Sequence, residues 1–169
     1  DVTIVSGDRD LLQLATQKVK ISIPKTKAGG TQVENYYAED VLKAYQVTPT
    51  QFIDLKALMG DTSDNIPGVP GIGEKTATKI ITAYGGIESA HEHVDEIKPA
   101  RASNNLREHY DLAVLSKTLA TIDVYAPVEV PENLSLDSLY SEEAYQILKR
   151  LEFKNILNRF QKALRFFGN

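Results

Sequence analysis

There is no cysteine among these 169 residues, and its absence removes disulfides, thiolate metal sites and cysteine nucleophiles together. Zinc-finger chemistry goes with them, and a reducing cytoplasm is compatible with such a chain. Histidine is scarce. His91 and His93 are two apart and His109 is distant, whereas helical metal pairs need separations of three or four, so these read as solvated helix residues. No serine lies in a nucleophile elbow, which leaves a serine hydrolase with little support. Long apolar runs are also missing: nothing approaches the ~18 consecutive apolar residues of a transmembrane helix, and the first residues lack a basic region followed by an apolar one. A soluble intracellular protein is expected. Nor is there an excess of positive charge. The net charge of −4 argues against broad affinity for nucleic acid, an objection that weakens where metal neutralises several acids.

What is present is an ordinary globular composition, 42% hydrophobic, enough to fill the core of one domain or two small ones. Val2 to Val5 is a short β-branched run and reads as a strand buried on both faces, which normally lies between parallel neighbours; no further strand of that kind is evident. Ser6 and Gly7 break the pattern, and Asp10 is placed to cap a helix through Leu11, Leu12 and Leu14. Asp8 and Asp10 thus stand at a strand's carboxyl end, where open α/β sheets bind ligands. Val19 to Ile23 and Thr31 to Tyr36 read as a hairpin turned at Ala28 to Gly30, followed by a helix over 38–45.

Thr48-Pro-Thr-Gln51 has the form of a helix start, and Phe52, Leu55, Leu58 and Met59 continue it as an apolar stripe. The next helix spans 74–84 and stops at Gly85 and Gly86; a short one follows over 87–93, and a longer one over 105–121. Residues 122–131 look extended, Ser141 caps a helix through Leu151, and 155–167 is a further helix. The character changes near Gly60, from strands and helices to mainly helices, so two lobes are expected with the functional loop at their junction.

That loop is Gly60-Asp-Thr-Ser-Asp-Asn-Ile-Pro-Gly-Val-Pro-Gly-Ile-Gly-Glu-Lys-Thr-Ala77. Asp61 and Asp64, three apart, can share one face of a turn, and hard divalent cations prefer such oxygen ligands. Alone, either acidic pair is weak, since aspartates near glycine are more often turn or cap residues. Four carboxylates brought together repel by about 4 kcal/mol per pair at ~4 Å and an effective dielectric of 20, so cations or protons must offset them. The glycines are not a nucleotide P-loop, because Glu74 separates Gly73 from Lys75 and no strand precedes the loop. A clamp on a nucleic-acid backbone is the better reading: Gly68, Val69, Gly71, Ile72, Gly73 and Thr76 belong to it, and Lys75 and Lys79 add charge.

Together with Ser6-Gly-Asp-Arg-Asp10 and Leu148-Lys-Arg-Leu-Glu-Phe153, this loop resembles the 5′-3′ exonuclease domain of bacterial DNA polymerase I, a relative of flap endonucleases and bacteriophage 5′ exonucleases. The likeness runs through nearly all of the chain and implies its carboxy-terminal portion only, with the amino-terminal half of the nuclease domain absent. The implied fold class is helix-rich α/β. Residues 1–59 would form the end of a PIN-like parallel-sheet nuclease core, and 60–169 an all-α helix-three-turn-helix DNA-binding subdomain.

The resemblance also implies a bacterial, cytoplasmic enzyme of DNA replication and repair that hydrolyses phosphodiester bonds with two Mg2+ or Mn2+ ions. Its substrate would be a 5′ flap, nick or duplex end. Asp8 and Asp10 match metal ligands at the strand end, Asp61 and Asp64 match the second metal site, and the glycine loop holds K+ through its carbonyls. Further partners would be the missing half and the polymerase domain of the same parent chain. A noncatalytic DNA-binding piece with an incomplete metal site is the main alternative, and a scaffolding domain whose acids are structural is a third.

Overall fold

The structure, a computed structural model, describes residues 1–27, 30–130 and 141–167, with side chains described except at 27 and 161–167. The chain forms two compact units, Asp1–Val124 and Tyr125–Asn169. The division expected near residue 60 falls inside the first unit.

The first unit begins with a small mixed sheet in the order β1-β2-β3, made of β1 (Val2–Val5), β2 (Val19–Lys27) and β3 (Gly30–Tyr36). β2 and β3 are antiparallel, pairing Ile21 with Tyr36 through to Lys27 with Gly30, as the hairpin pattern predicts; Ala28 and Gly29 of its expected turn lie outside the described residues. β1 departs from expectation. It has a parallel neighbour after all, with Val2 opposite Val19 and Val5 opposite Ser22, and it is an edge strand whose Val5 is 68% exposed. The β-branched run set the strand correctly, but such a run cannot tell a central strand from an edge. The sheet is therefore mixed, not wholly parallel.

Between β1 and β2 lies a 3-10 helix, Arg9–Leu14, whose cap is Asp8 and not Asp10: the Asp8 side chain accepts from the Asp10 backbone N–H at 2.9 Å. Gln13 ties this turn to a distant helix end, donating to Ala120 O and accepting from Ile122 N, each at 2.9 Å. The helices α1 (Ala38–Tyr45), α2 (Pro49–Met59), α3 (Glu74–Tyr84), α4 (Ile87–Glu92), α5 (Ala100–Glu108) and α6 (Tyr110–Ala120) complete the unit. The single helix expected over 105–121 is two, because His109 takes φ −120° and ψ 31°, outside helical geometry.

Helix α2 is the axis of the unit. Thr48 and Gln51 cap it reciprocally, Gln51 N to Thr48 Oγ1 at 3.2 Å and Thr48 N to Gln51 Oε1 at 3.0 Å, with Pro49 at the first helical position. Its Phe52, Leu55 and Leu58 join Leu12, Ile21, Val41, Ile81 and Leu106 in one core. Two charged residues of α2, Asp54 and Lys56, are also buried. A buried charge must be paired, since isolation in low dielectric costs several kcal/mol. Asp54 Oδ1 accepts from Ile87 N at 3.1 Å, capping α4 whose own N-cap, Gly86, has no side chain, and it faces Lys117 Nζ at 2.8 Å. Lys117 also binds Glu88 at 2.8 Å.

This network makes a stability prediction. Lys117→Met leaves Asp54 buried beside no cation and is expected to cost about 2–3 kcal/mol in urea unfolding, part of the penalty of a broken buried pair. Glu88 is held below its ordinary value: burial opposes its charge, but hydrogen bonding and attraction from Lys117 outweigh it. A depressed carboxyl contributes stability above its unfolded pKa and loses it as pH falls through the folded value. The stability gap between wild type and Glu88→Gln is thus expected to persist above pH 4.5 and to close as the solution is made more acidic.

The second unit contains α7 (Glu142–Arg150) and α8 (Lys154–Phe167). Ser141 caps α7, accepting from Ala144 N at 3.2 Å, as the sequence predicts. Tyr145 and Phe160 meet with ring centroids 6.1 Å apart. Among the described residues, no helix is long and apolar enough to cross a membrane.

Candidate functional site

The loop after α2 is fixed by its backbone. Asp61 N donates to Ile66 O at 2.9 Å and Ile66 N to Asp61 O at 2.8 Å, closing the segment that carries Asp61 and Asp64. Inside it, Asp61 Oδ1 accepts from Ser63 N at 2.9 Å and from the Ser63 hydroxyl. The base of the loop is a crossing of two main chains. Gly60 has φ +72° and Gly68 φ +62°, and a Cβ added to Gly68 would lie 2.4 Å from Gly60 N. Only glycine combines that backbone region with that approach. Gly68 N then donates to the buried Ser116 Oγ at 2.9 Å, and Val69 N to Leu58 O at 2.8 Å, anchoring the crossing to α6 and α2.

Carboxylate oxygens of Asp10, Asp61 and Asp64 come within 4.8 Å of one another. Asp8 lines the same cleft, of about 530 Å³, but its carboxylate stands outside this group. Strand end and loop therefore converge: Asp8, Asp61 and Asp64 line the cleft, and Asp10, itself outside the lining, brings a carboxylate oxygen to the two loop acids.

Sequence reasoning missed Lys56. Its side chain is buried and makes ion pairs with Asp10 Oδ1 and Asp61 Oδ2 at once. Burial works against its charge, but hydrogen bonds and attraction from Asp10 and Asp61 outweigh it and hold its pKa above the ordinary lysine value. Asp61 is correspondingly held well below the usual carboxylate range, first by Lys56 and then by Ser63. A signal was available: Lys56 stands between Leu55 and Leu58, five residues before Asp61, and with Asp54 it puts charge into a stretch that Phe52, Leu55 and Leu58 otherwise make apolar.

These residues fit a hard divalent cation. The donor set is all oxygen, and Asp10 Oδ1 is buried and, its ion pair with Lys56 aside, accepts no hydrogen bond. Asp64 is exposed, with no hydrogen bond or ion pair among the described residues, so its oxygens are available.

The glycine loop leads from this pocket into α3. The side chains of Val69 and Ile72 are buried in the core, so these two can meet a ligand only through backbone. The N–H groups of Gly68, Val69 and Ile72 are used internally, and Thr76 N donates to Gly73 O at 3.0 Å. Those of Gly71, Gly73, Glu74 and Lys75 have no acceptor among the described residues. A Cβ on Gly73 would meet nothing within 4 Å, so the backbone there faces open space. Lys75 and Lys79, one turn apart, are exposed on α3, while Glu74 lines the acidic cleft. Sequence reading also missed the far wall: Asn105 Nδ2 donates to Pro70 O at 2.6 Å, and Arg101 Nε would lie 3.6 Å from a Cβ on Gly71.

Residues 47–146 match the family described as 5′-3′ exonuclease, C-terminal SAM fold. The chain is 46% identical to DNA polymerase I of Bacillus caldotenax over 166 residues, 95% of this chain and 18% of that one. It is 45% identical to DNA polymerase I of Bacillus subtilis, covering 94% of this chain and again 18% of the relative. The chain thus spans about a fifth of the length of these polymerases. Among solved structures it is similar to T5 5′-exonuclease with bound zinc ions, at TM-score 0.60 and 30% identity over 70% of this chain and 42% of that one. The flap endonuclease of bacteriophage T5, solved with DNA and metal ions, shares the fold at TM-score 0.59 and 23% identity, covering 98% of this chain and 52% of the other. With a family match across more than half of its length, the chain belongs to the 5′-3′ exonuclease family and corresponds to the C-terminal part of the exonuclease domain of DNA polymerase I.

Proposed function

We propose that this chain is the part of a structure-specific 5′ nuclease that holds divalent metal and grips the DNA backbone beside it. One observation carries the reading: the cleft lined by Asp61 and Asp64, the two acids that Asp10 approaches, is also lined by Glu74, the first residue of a helix whose leading N–H groups have no acceptor among the described residues. Metal and phosphate sites are therefore contiguous, as hydrolysis of a phosphodiester requires. Asp10, Asp61 and Asp64 would hold Mg2+ or Mn2+, with Asp8 at the wall. Held there, such ions would supply a lowered pKa for the attacking water and charge stabilisation for the leaving oxygen.

The remaining roles belong to the chain's own groups. The N–H groups of Gly71, Gly73, Glu74 and Lys75 and the positive end of α3 bind phosphate oxygens, and Lys75 and Lys79 add charge without reading bases. A K+ ion at the loop would rest on main-chain carbonyls, of which Pro70 O is already engaged by Asn105. In this reading residues 1–59 belong to the nuclease core and 60–169 to the helical DNA-binding part. Three clustered acids are fewer than two metal ions need, so the 169 residues alone are expected to bind 5′-flap DNA weakly and cleave it poorly. Full activity would draw on nuclease residues elsewhere in a polymerase-length chain, whose polymerase domain would be a further partner.

The test is fluorescence anisotropy with flap DNA across a salt series. Lys75→Ala is expected to weaken binding equally for unrelated sequences and to lower the salt slope by about one phosphate's worth, roughly 0.9. Unchanged affinity and slope would remove the clamp.

A further inference from the structure

We propose that Lys56 is a built-in counter-ion of the metal centre: its ammonium occupies the cation position between Asp10 and Asp61, orders them without metal, and competes with divalent ions for their oxygens. The inference rests on the metal-centre reading and deepens it.

Lys56 Nζ contacts Asp10 Oδ1 and Asp61 Oδ2 together. The other oxygen of Asp61 is already held by the backbone and hydroxyl of Ser63. A cation bridging Asp10 and Asp61 must therefore approach the place where Nζ sits, because hard ions need oxygens at about 2.0–2.6 Å. Lysine suits this duty better than arginine would. Its ammonium is a compact charge on a flexible stem, able to withdraw by rotamer change while the stem stays packed in the core. The residue is only 5% exposed, so its charge is little screened and its effect on a neighbouring cation is strong. Asp64 has no part in the ammonium cradle and stays exposed, which leaves one carboxylate to receive a metal before the lysine moves. A centre built this way is ordered when metal-free and binds metal more weakly than its acids alone would.

Isothermal titration of the chain with Mn2+ tests this, using wild type and Lys56→Met, with Lys56→Gln should the methionine variant not fold. Losing the competitor is expected to tighten Mn2+ binding about tenfold or more, while the metal-free variant melts lower and recovers on Mn2+ addition. Weaker or unchanged Mn2+ affinity in the folded variant would overturn the proposal and leave the metal centre standing. In wild type, the Lys56 ε-carbon resonance is expected to shift during a Mg2+ titration with the same midpoint as binding, and a resonance that does not move as Mg2+ saturates the site also overturns it. If no form of the chain binds metal, both this inference and the metal-centre reading fail.

Discussion

Gly68→Ala is expected to lose about 3–5 kcal/mol of stability, a large share of the roughly 5–15 kcal/mol that holds a domain folded. Two independent costs add. An L-residue at φ +62° pays about 1–2 kcal/mol for the left-handed region, and a methyl group 2.4 Å from Gly60 N forces backbone, not a pliable side chain, to shift. Loss of the crossing also strips Gly68 N from Ser116 and loosens the loop that carries Asp61 and Asp64. Gly73→Ala is the contrasting case. With φ −92° and nothing within 4 Å of the new methyl, its stability is expected to stay within about 1 kcal/mol of wild type, since alanine is a poorer N-cap but a less flexible residue. Its DNA affinity should fall, because the methyl stands where a phosphate approaches the helix end. Urea unfolding and flap-DNA anisotropy on the two variants separate the glycine that shapes the fold from the glycine that bares a surface. Equal stability of both would contradict the crossing.

The contrast between those glycines marks how far sequence could reach. Local signals were legible wherever their cause was local. The cap of Thr48, Pro49 and Gln51 fixed the start of α2, and Gly85 and Gly86 fixed the end of α3, because these motifs satisfy backbone groups within one turn. Two acids at a strand end, Asp8 and Asp10, and two in a loop, Asp61 and Asp64, were expected to share one site; Asp10, Asp61 and Asp64 come together while the Asp8 carboxylate stays outside the group. What escaped depends on partners far away in the chain. Asp54 looks like one polar interruption of an apolar helix until Lys117 and the N–H of Ile87 are seen against it. Lys56 looks like a surface lysine until the acids close around it. Asp8 and Asp10 compete for one capping role, and the winner depends on where the 3-10 turn begins, a difference of two residues that composition does not resolve.

The acidic pocket itself gives the second large effect, and its two loop acids are expected to fail differently. Asp64→Ala removes an exposed carboxylate with no partner among the described residues, so the fold should keep its stability within about 0.5 kcal/mol. Affinity for Mn2+ should nevertheless fall by at least about 10- to 100-fold, the loss that removal of even a supporting residue brings to a metal site. Asp61→Ala should lose metal affinity comparably and also cost about 1–3 kcal/mol of stability. The depressed pKa of Asp61 means that the folded state favours its charged form, and the groups responsible, the Lys56 ammonium first and Ser63 second, are left without their acceptor. Lys56 keeps Asp10, which is why the cost stays below that of a wholly unpaired buried charge. Calorimetric Mn2+ titration and urea unfolding on the same preparations distinguish the two. A stability loss in Asp64→Ala as large as in Asp61→Ala would mean that the exposed acid supports the loop, and undiminished Mn2+ affinity in both would mean that the three carboxylates are not ligands.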